Sequence, residues 1–129
     1  EIFYVQEFIE KPGRDIRAYV IGEEIVAASY RTSDHWITNA AKGAVSVPCP
    51  VTPEIEELAL TACKAVGARL AGVDLIETDQ GLKVIEINTG GEFKGLMTTT
   101  DRDIAGLIVE EAMRIAREAH ERKPQPAIA

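Results

Sequence analysis

Two pairs of short apolar runs, each joined by only a few turn-forming residues, limit this chain to folds built on antiparallel strands. Residues 16–21 and 25–30 flank Gly22-Glu23-Glu24, and residues 72–77 and 82–88 flank Thr78-Asp79-Gln80-Gly81. Parallel strands would need a crossover of a dozen residues or more, which neither connection offers. Residues 2–9 read as a further apolar strand ending at the Lys11-Pro12-Gly13 turn, and residues 31–44 as a long polar loop. Thr52 reads as an N-cap with Pro53 at the first helical position, opening an amphipathic helix over residues 53–69 that carries Ile55, Leu58, Ala59, Ala62 and Val66. Residues 89–100 form a Gly- and Thr-rich loop. A final helix starts near Thr100, with Asp103 in a capping-box position and Ile104, Leu107, Ile108, Ala112 and Ile115 on one face. The expected architecture is α+β, an antiparallel sheet of hairpins with both helices packed to one side.

At 129 residues and 46% apolar, the chain suits one small domain with a real core. Its net charge of −7 and lack of a Lys/Arg run disfavour a nucleic-acid partner. With neither a membrane-length apolar stretch nor a signal peptide in the sequence, a cytoplasmic protein away from membranes is expected. Cys49 and Cys63 are too few for a zinc site and read as free thiols. The opening Glu1-Ile2-Phe3-Tyr4-Val5 falls inside an apolar run with no initiating Met, so the chain reads as a fragment. Residues 1–120 would be one subdomain and 121–129 a polar tail.

The second hairpin carries the chemistry. Glu86 and Asn88 alternate onto one face of their strand, and the short turn brings Asp74 opposite them to within about one residue of register. Facing carboxylates among Val, Leu and Ile are costly unless a cation lies between them. With no His or Cys in the group, the donors are hard oxygens and point to Mg²⁺ or Mn²⁺, which typically bridges carboxylates to nucleotide phosphates. The competing reading is a solvated acidic face. Elsewhere, Ser33-Asp34-His35 is no triad, because triad partners meet in space, and His35 and Trp36 read as loop packing or substrate contacts. Gly90-Gly91 lacks the strand, turn and helix of a phosphate loop.

Several motifs together resemble the C-terminal part of the ATP-grasp ligases. Within that family they resemble the branch of ribosomal-protein glutamate ligases and amino-group carrier protein ligases. Val5-Gln6-Glu7-Phe8-Ile9 is similar to the adenine-binding hinge, and Arg14-Asp15-Ile16-Arg17 to the strand that follows it. Gly72-Val73-Asp74-Leu75 and Glu86-Ile87-Asn88 resemble the metal-ligand strands. The run from Tyr30 to Asn39, with Cys49-Pro50-Val51-Thr52-Pro53-Glu54 and Glu92-Phe93-Lys94, resembles the carrier protein ligases of lysine and arginine biosynthesis.

The resemblance implies an ATP- and Mg²⁺-dependent ligase. Gln6, Glu7, Phe8 and Ile9 would hold adenine, and Asp15 would meet the ribose or order the hinge. Arg31 and Asn39, on the loop, would face the γ-phosphate and the acyl-phosphate. Asp74, Glu86 and Asn88 would hold the metal, and Thr89, Gly90 and Gly91 would line the acceptor amino-acid site. Arg17 is left open between a site role and a structural ion pair with a neighbouring acid. The implied partners are a small acidic carrier protein and α-aminoadipate or glutamate, with a homo-oligomer expected. A ribosomal-protein glutamate ligase and a non-catalytic assembly module are the alternatives. The family's phosphate-binding lysines and Gly-rich lid lie upstream of the hinge, so the fragment alone is expected to be inactive.

Overall fold

The computed structural model describes residues 2–32, 45–90 and 93–122. One five-stranded antiparallel sheet runs in the order β3-β2-β1-β4-β5. Its strands are β1 (Arg14–Ile21), β2 (Glu24–Thr32), β3 (Val45–Pro48), β4 (Leu70–Thr78) and β5 (Gly81–Asn88). The helices are α1 (Pro53–Ala65), the one-turn α2 (Lys94–Met97) and α3 (Ile104–Glu121). Both expected hairpins form, with strands slightly longer than the apolar runs. The turns place Gly22 at φ 64° and Gly81 at φ 100°, a region that L side chains rarely enter.

The two long helices lie on opposite faces of the sheet, not on one side. Ile16, Ala18 and Val20 of β1 pack with Ile55, Ala59 and Cys63 of α1 in one cluster. Tyr19 and Ile21, which alternate to the other face, pack with Leu96 of α2 and Ile104 of α3 in a second. The run of apolar residues in β1 holds enough bulk for both faces, which a reading of helix faces alone does not reveal.

Local chemistry sets the helix ends. The Thr52 hydroxyl accepts a hydrogen bond from the Ile55 N–H at 3.3 Å, as its sequence position implies. At the other end Gly67 takes φ 67°, the Ala68 N–H bonds the Cys63 carbonyl at 2.9 Å, and the Gly67 N–H bonds that of Lys64 at 3.2 Å. That paired C-terminal motif closes α1 at Ala65, short of the expected residue 69. At α3 the cap is Asp103, whose Oδ1 accepts from the Gly106 N–H at 2.9 Å. Thr100 spends its hydroxyl on the Arg102 N–H, so it starts a turn and not the helix. Buried Glu111 of α3 pairs with Arg69 at 2.6 Å and with Arg114, tying the helix to the start of β4.

Three stretches differ from expectation. Residues 2–12 form no strand, and Ile2, Phe3, Tyr4 and Val5 are exposed. In the sheet β1 is flanked on both sides, by β2 and β4. Strand β3, at one edge of the sheet, was not anticipated, and α2 interrupts the stretch expected to be loop. The connection between β2 and β3 lies outside the described residues, but its first expected members, Arg31 and Thr32, belong to β2. Among the described residues, no helix is long and apolar enough to cross a membrane.

Candidate active site

The second face of the sheet has two halves. Near one end Tyr19, Ile21 and Ala27 pack with residues of α2 and α3. Toward the other end the same alternation presents Asp15 and Arg17 from β1, Ser29 and Arg31 from β2, and Asp74 from β4. Cross-strand register pairs Asp15 with Arg31 and Arg17 with Asp74, so opposite charges meet directly.

The result is a chain of four charges, with Arg17 at its partly exposed end. Arg31 Nε donates to Asp15 Oδ1 at 2.6 Å, and its Nη2 reaches Asp74 Oδ2 at 2.9 Å. Arg17 donates Nε and Nη2 to the two oxygens of Asp74 at 2.7 and 2.8 Å. Asp15, Arg31 and Asp74 are each buried. Burial, the largest influence on Arg31, works against its charged form. The Asp15 hydrogen bond and the Asp74 charge outweigh it, and its pKa stands above the ordinary arginine value.

Beside this chain, Asp74 lies opposite Glu86 and Gly72 opposite Asn88, the register read from the sequence. A bulge between Asp74 and Leu75 interrupts the ladder next to this pair, a common device near functional sites for re-aiming a side chain. Glu86 is exposed and Asn88 half-buried on the edge strand β5. Neither side chain makes a hydrogen bond or ion pair among the described residues. Among those residues no group of three or more His, Cys, Asp or Glu gathers.

Five of the anticipated residues thus meet on one face: Asp15, Arg31, Asp74, Glu86 and Asn88. Arg31 sits in β2 and not on the loop. Gln6, Glu7, Phe8 and Ile9 lie in the segment before β1, without strand structure. Thr89 and Gly90 form the exposed turn after β5, while Asn39 and Gly91 fall outside the described residues. Two guanidiniums, from Arg17 and Arg31, already neutralise Asp74 within the protein. The signal for this was present: Asp15-Ile16-Arg17 puts opposite charges at a spacing of two on a central strand.

An oxygen-rich edge beside guanidiniums, on an antiparallel sheet clasped by helices, is an arrangement suited to phosphate and metal. The same fold occurs in the ATP-grasp ligase PsnB complexed with a minimal precursor, at a TM-score of 0.65 and 26% identity over 84% of this chain and 35% of that one. More narrowly, residues 1–112 match the RimK-like ATP-grasp domain, and the chain belongs to that family. The tetrahydromethanopterin:alpha-L-glutamate ligase of Methanococcus maripaludis is 43% identical over 120 residues, 91% of this chain and 41% of that protein. The alpha-aminoadipate–LysW ligase LysX of Saccharolobus solfataricus is 37% identical over 114 residues, 87% of this chain and 42% of that protein. The chain therefore spans about two-fifths of the length of these relatives.

Proposed function

We propose that the protein is an ATP-dependent carboxylate–amine ligase and that this chain supplies its metal- and phosphate-handling face. The observation that carries the reading is the Asp15–Arg31–Asp74–Arg17 chain lying against Glu86 and Asn88 in a RimK-like ATP-grasp domain.

In this reaction a carboxylate oxygen attacks the γ-phosphorus of ATP, ADP leaves, and an acyl-phosphate results. An amine then attacks the acyl carbon, phosphate departs, and an amide remains. Glu86 and Asn88 are oxygen donors with no protein partner among the described residues, and Asp74 adds a carboxylate shared with Arg17 and Arg31. This donor set fits Mg²⁺, and a bound Mg²⁺ would draw charge from the phosphate oxygens during transfer. Arg31, gripped by Asp15 and Asp74, is a rigid cation for the phosphoryl group and for the acyl-phosphate. The segment from Gln6 to Ile9 would meet adenine, with Asp15 near the ribose, and Asn39 would join Arg31. Thr89, Gly90 and Gly91 would border the amino-acid site.

An acidic amino acid is the amine that the relatives support, since both are named for one, glutamate or α-aminoadipate. A small acidic carrier protein, in lysine or arginine biosynthesis, is the carboxyl partner suggested by residues 30–39 and 49–54. The higher identity to the tetrahydromethanopterin ligase favours a second reading, in which glutamate is joined to a pterin coenzyme. The test is ADP formation by the full-length protein against a matrix of glutamate or α-aminoadipate with carrier protein or tetrahydromethanopterin. One pair should stimulate ADP release far above either component alone, and Glu86→Ala should abolish it. Equal rates across the matrix, unaffected by Glu86→Ala, would refute the proposal.

A further inference from the structure

Arg17 has no role in the reaction as proposed, yet it is among the most constrained cations of the sheet. Its guanidinium covers both oxygens of Asp74, at 2.7 and 2.8 Å, with its side chain largely buried. Its stem lies across β4 at Gly72, where a Cβ would sit 3.5 Å from Arg17 Cδ and Nε. Gly72 is in turn the cross-strand partner of Asn88. Arg17 therefore lies against the same two strands that carry Asp74, Glu86 and Asn88.

Among the described residues the charges of Asp15, Asp74, Arg31 and Arg17 cancel, and Glu86 brings this group of five to about −1. Without Arg17 the same group stands at about −2, with Asp74 held only through the guanidinium it shares with Asp15. A free divalent cation would gain from that change. A metal–nucleotide complex, which is itself an anion, would lose from it.

Resting on the ligase reading, we propose that Arg17 is a positioning residue that neutralises Asp74 and so makes this site prefer a metal–nucleotide complex over the free metal ion. It holds the Asp74 carboxylate against Arg31 and keeps the site from filling with metal before nucleotide arrives. A purely structural ion pair predicts something else: its loss would loosen the face and weaken both forms of binding.

The experiment uses the full-length protein, Mn²⁺ as the probe and electron paramagnetic resonance to count bound ion, with and without ADP. Arg17→Met should bind Mn²⁺ alone about five- to tenfold more tightly, the order expected of one unit charge at close range in a partly solvated site, and Mn·ADP more weakly by a similar factor. Arg17→Lys, which restores the charge, should return both affinities to within about twofold of wild type. Arg17→Gln keeps an amide donor to Asp74 and makes the same test should the methionine variant fail to fold. If the neutral variants weaken both affinities, or leave both unchanged, the inference is wrong while the ligase reading stands. If the wild-type protein binds no Mn²⁺ with or without ADP, or if Glu86→Ala leaves Mn²⁺ binding intact, the metal site itself is wrong and the inference falls with it.

Discussion

Replacing Asp74 and Glu86 in turn separates what the fold needs from what the chemistry needs. Asp74 is 6% exposed and accepts from three guanidinium nitrogens at 2.7, 2.8 and 2.9 Å. Alanine there would leave Arg17 without an acid and Arg31 with Asp15 alone, in a place that water barely reaches. Breaking a buried pair by removing one partner costs about 3–5 kcal/mol. For a domain of this size that corresponds to a fall in Tm of roughly 10–20 °C. Glu86 is exposed and has no partner among the described residues, so Glu86→Ala should change stability by no more than about 0.5 kcal/mol. Its ATP-dependent turnover, however, should fall by at least about a hundredfold, the scale of losing a group that acts in the transition state. Thermal melts in chelator without nucleotide, followed by circular dichroism, give the first quantity and ADP release the second. An Asp74→Ala protein melting within about 2 °C of wild type, or a Glu86→Ala protein melting as low as Asp74→Ala, would refute the division of roles.

Burial pushes the thiols of Cys49 and Cys63 up from their ordinary value, so iodoacetamide at neutral pH should label both slowly in the folded protein and rapidly after denaturation; fast native labelling would contradict their packing. The Arg14 hydrogen bond holds Glu77 below the usual carboxylate value of 4.5, and a carboxyl depressed by folding stabilises above its unfolded pKa and loses that effect as pH falls through its folded one. The Tm gap between wild type and Glu77→Gln should therefore be full near neutrality and close as the pH drops below 4.5. A Cβ at Gly90 meets nothing within 4 Å, so Gly90→Val should fold and sharpen the choice between glutamate and α-aminoadipate in kcat/KM. The wild-type preference should stay under about a thousandfold, since one methylene supplies only about 1–3 kcal/mol. The exposed Ile2, Phe3, Tyr4 and Val5 should drive this chain, prepared alone, to self-associate, which sedimentation would reveal; a strictly monomeric sample would count against it.

The hairpins, the register of Asp74 against Glu86 and the start of α1 were legible because each depends on neighbouring residues: a short turn, a period of two, a Thr-Pro cap. The placement of the helices on opposite faces was not, because it depends on which face of β1 each helix finds, and β1 is apolar on both. Strand β3 was missed for a related reason. Its Val-Ser-Val alternation spans only four residues, Val45–Pro48, too short to stand out, and the strand forms by pairing with β2. In the site, the acids and Arg31 were named and Arg17 was left open, but the closing of both guanidiniums on Asp74 was not read. Glu86 and Asn88 stand out as oxygens in an apolar strand, whereas Arg17 and Arg31 become partners of Asp74 only once β1 lies between β2 and β4. The segment from Gln6 to Ile9 resembles a strand by composition, but strand structure also depends on a pairing partner that composition does not supply.

The central claim is activation of a carboxylate by phosphoryl transfer, and oxygen isotope transfer tests it most directly. The full-length protein would be given ATP, Mg²⁺, glutamate and a carboxyl partner labelled with ¹⁸O in its carboxylate, and the released phosphate would be analysed by mass spectrometry. Attack of the carboxylate on the γ-phosphorus, followed by amine displacement, carries one carboxylate oxygen into phosphate. The account predicts one ¹⁸O atom in each phosphate released with amide formation. Amide formed at a normal rate with unlabelled phosphate would contradict it.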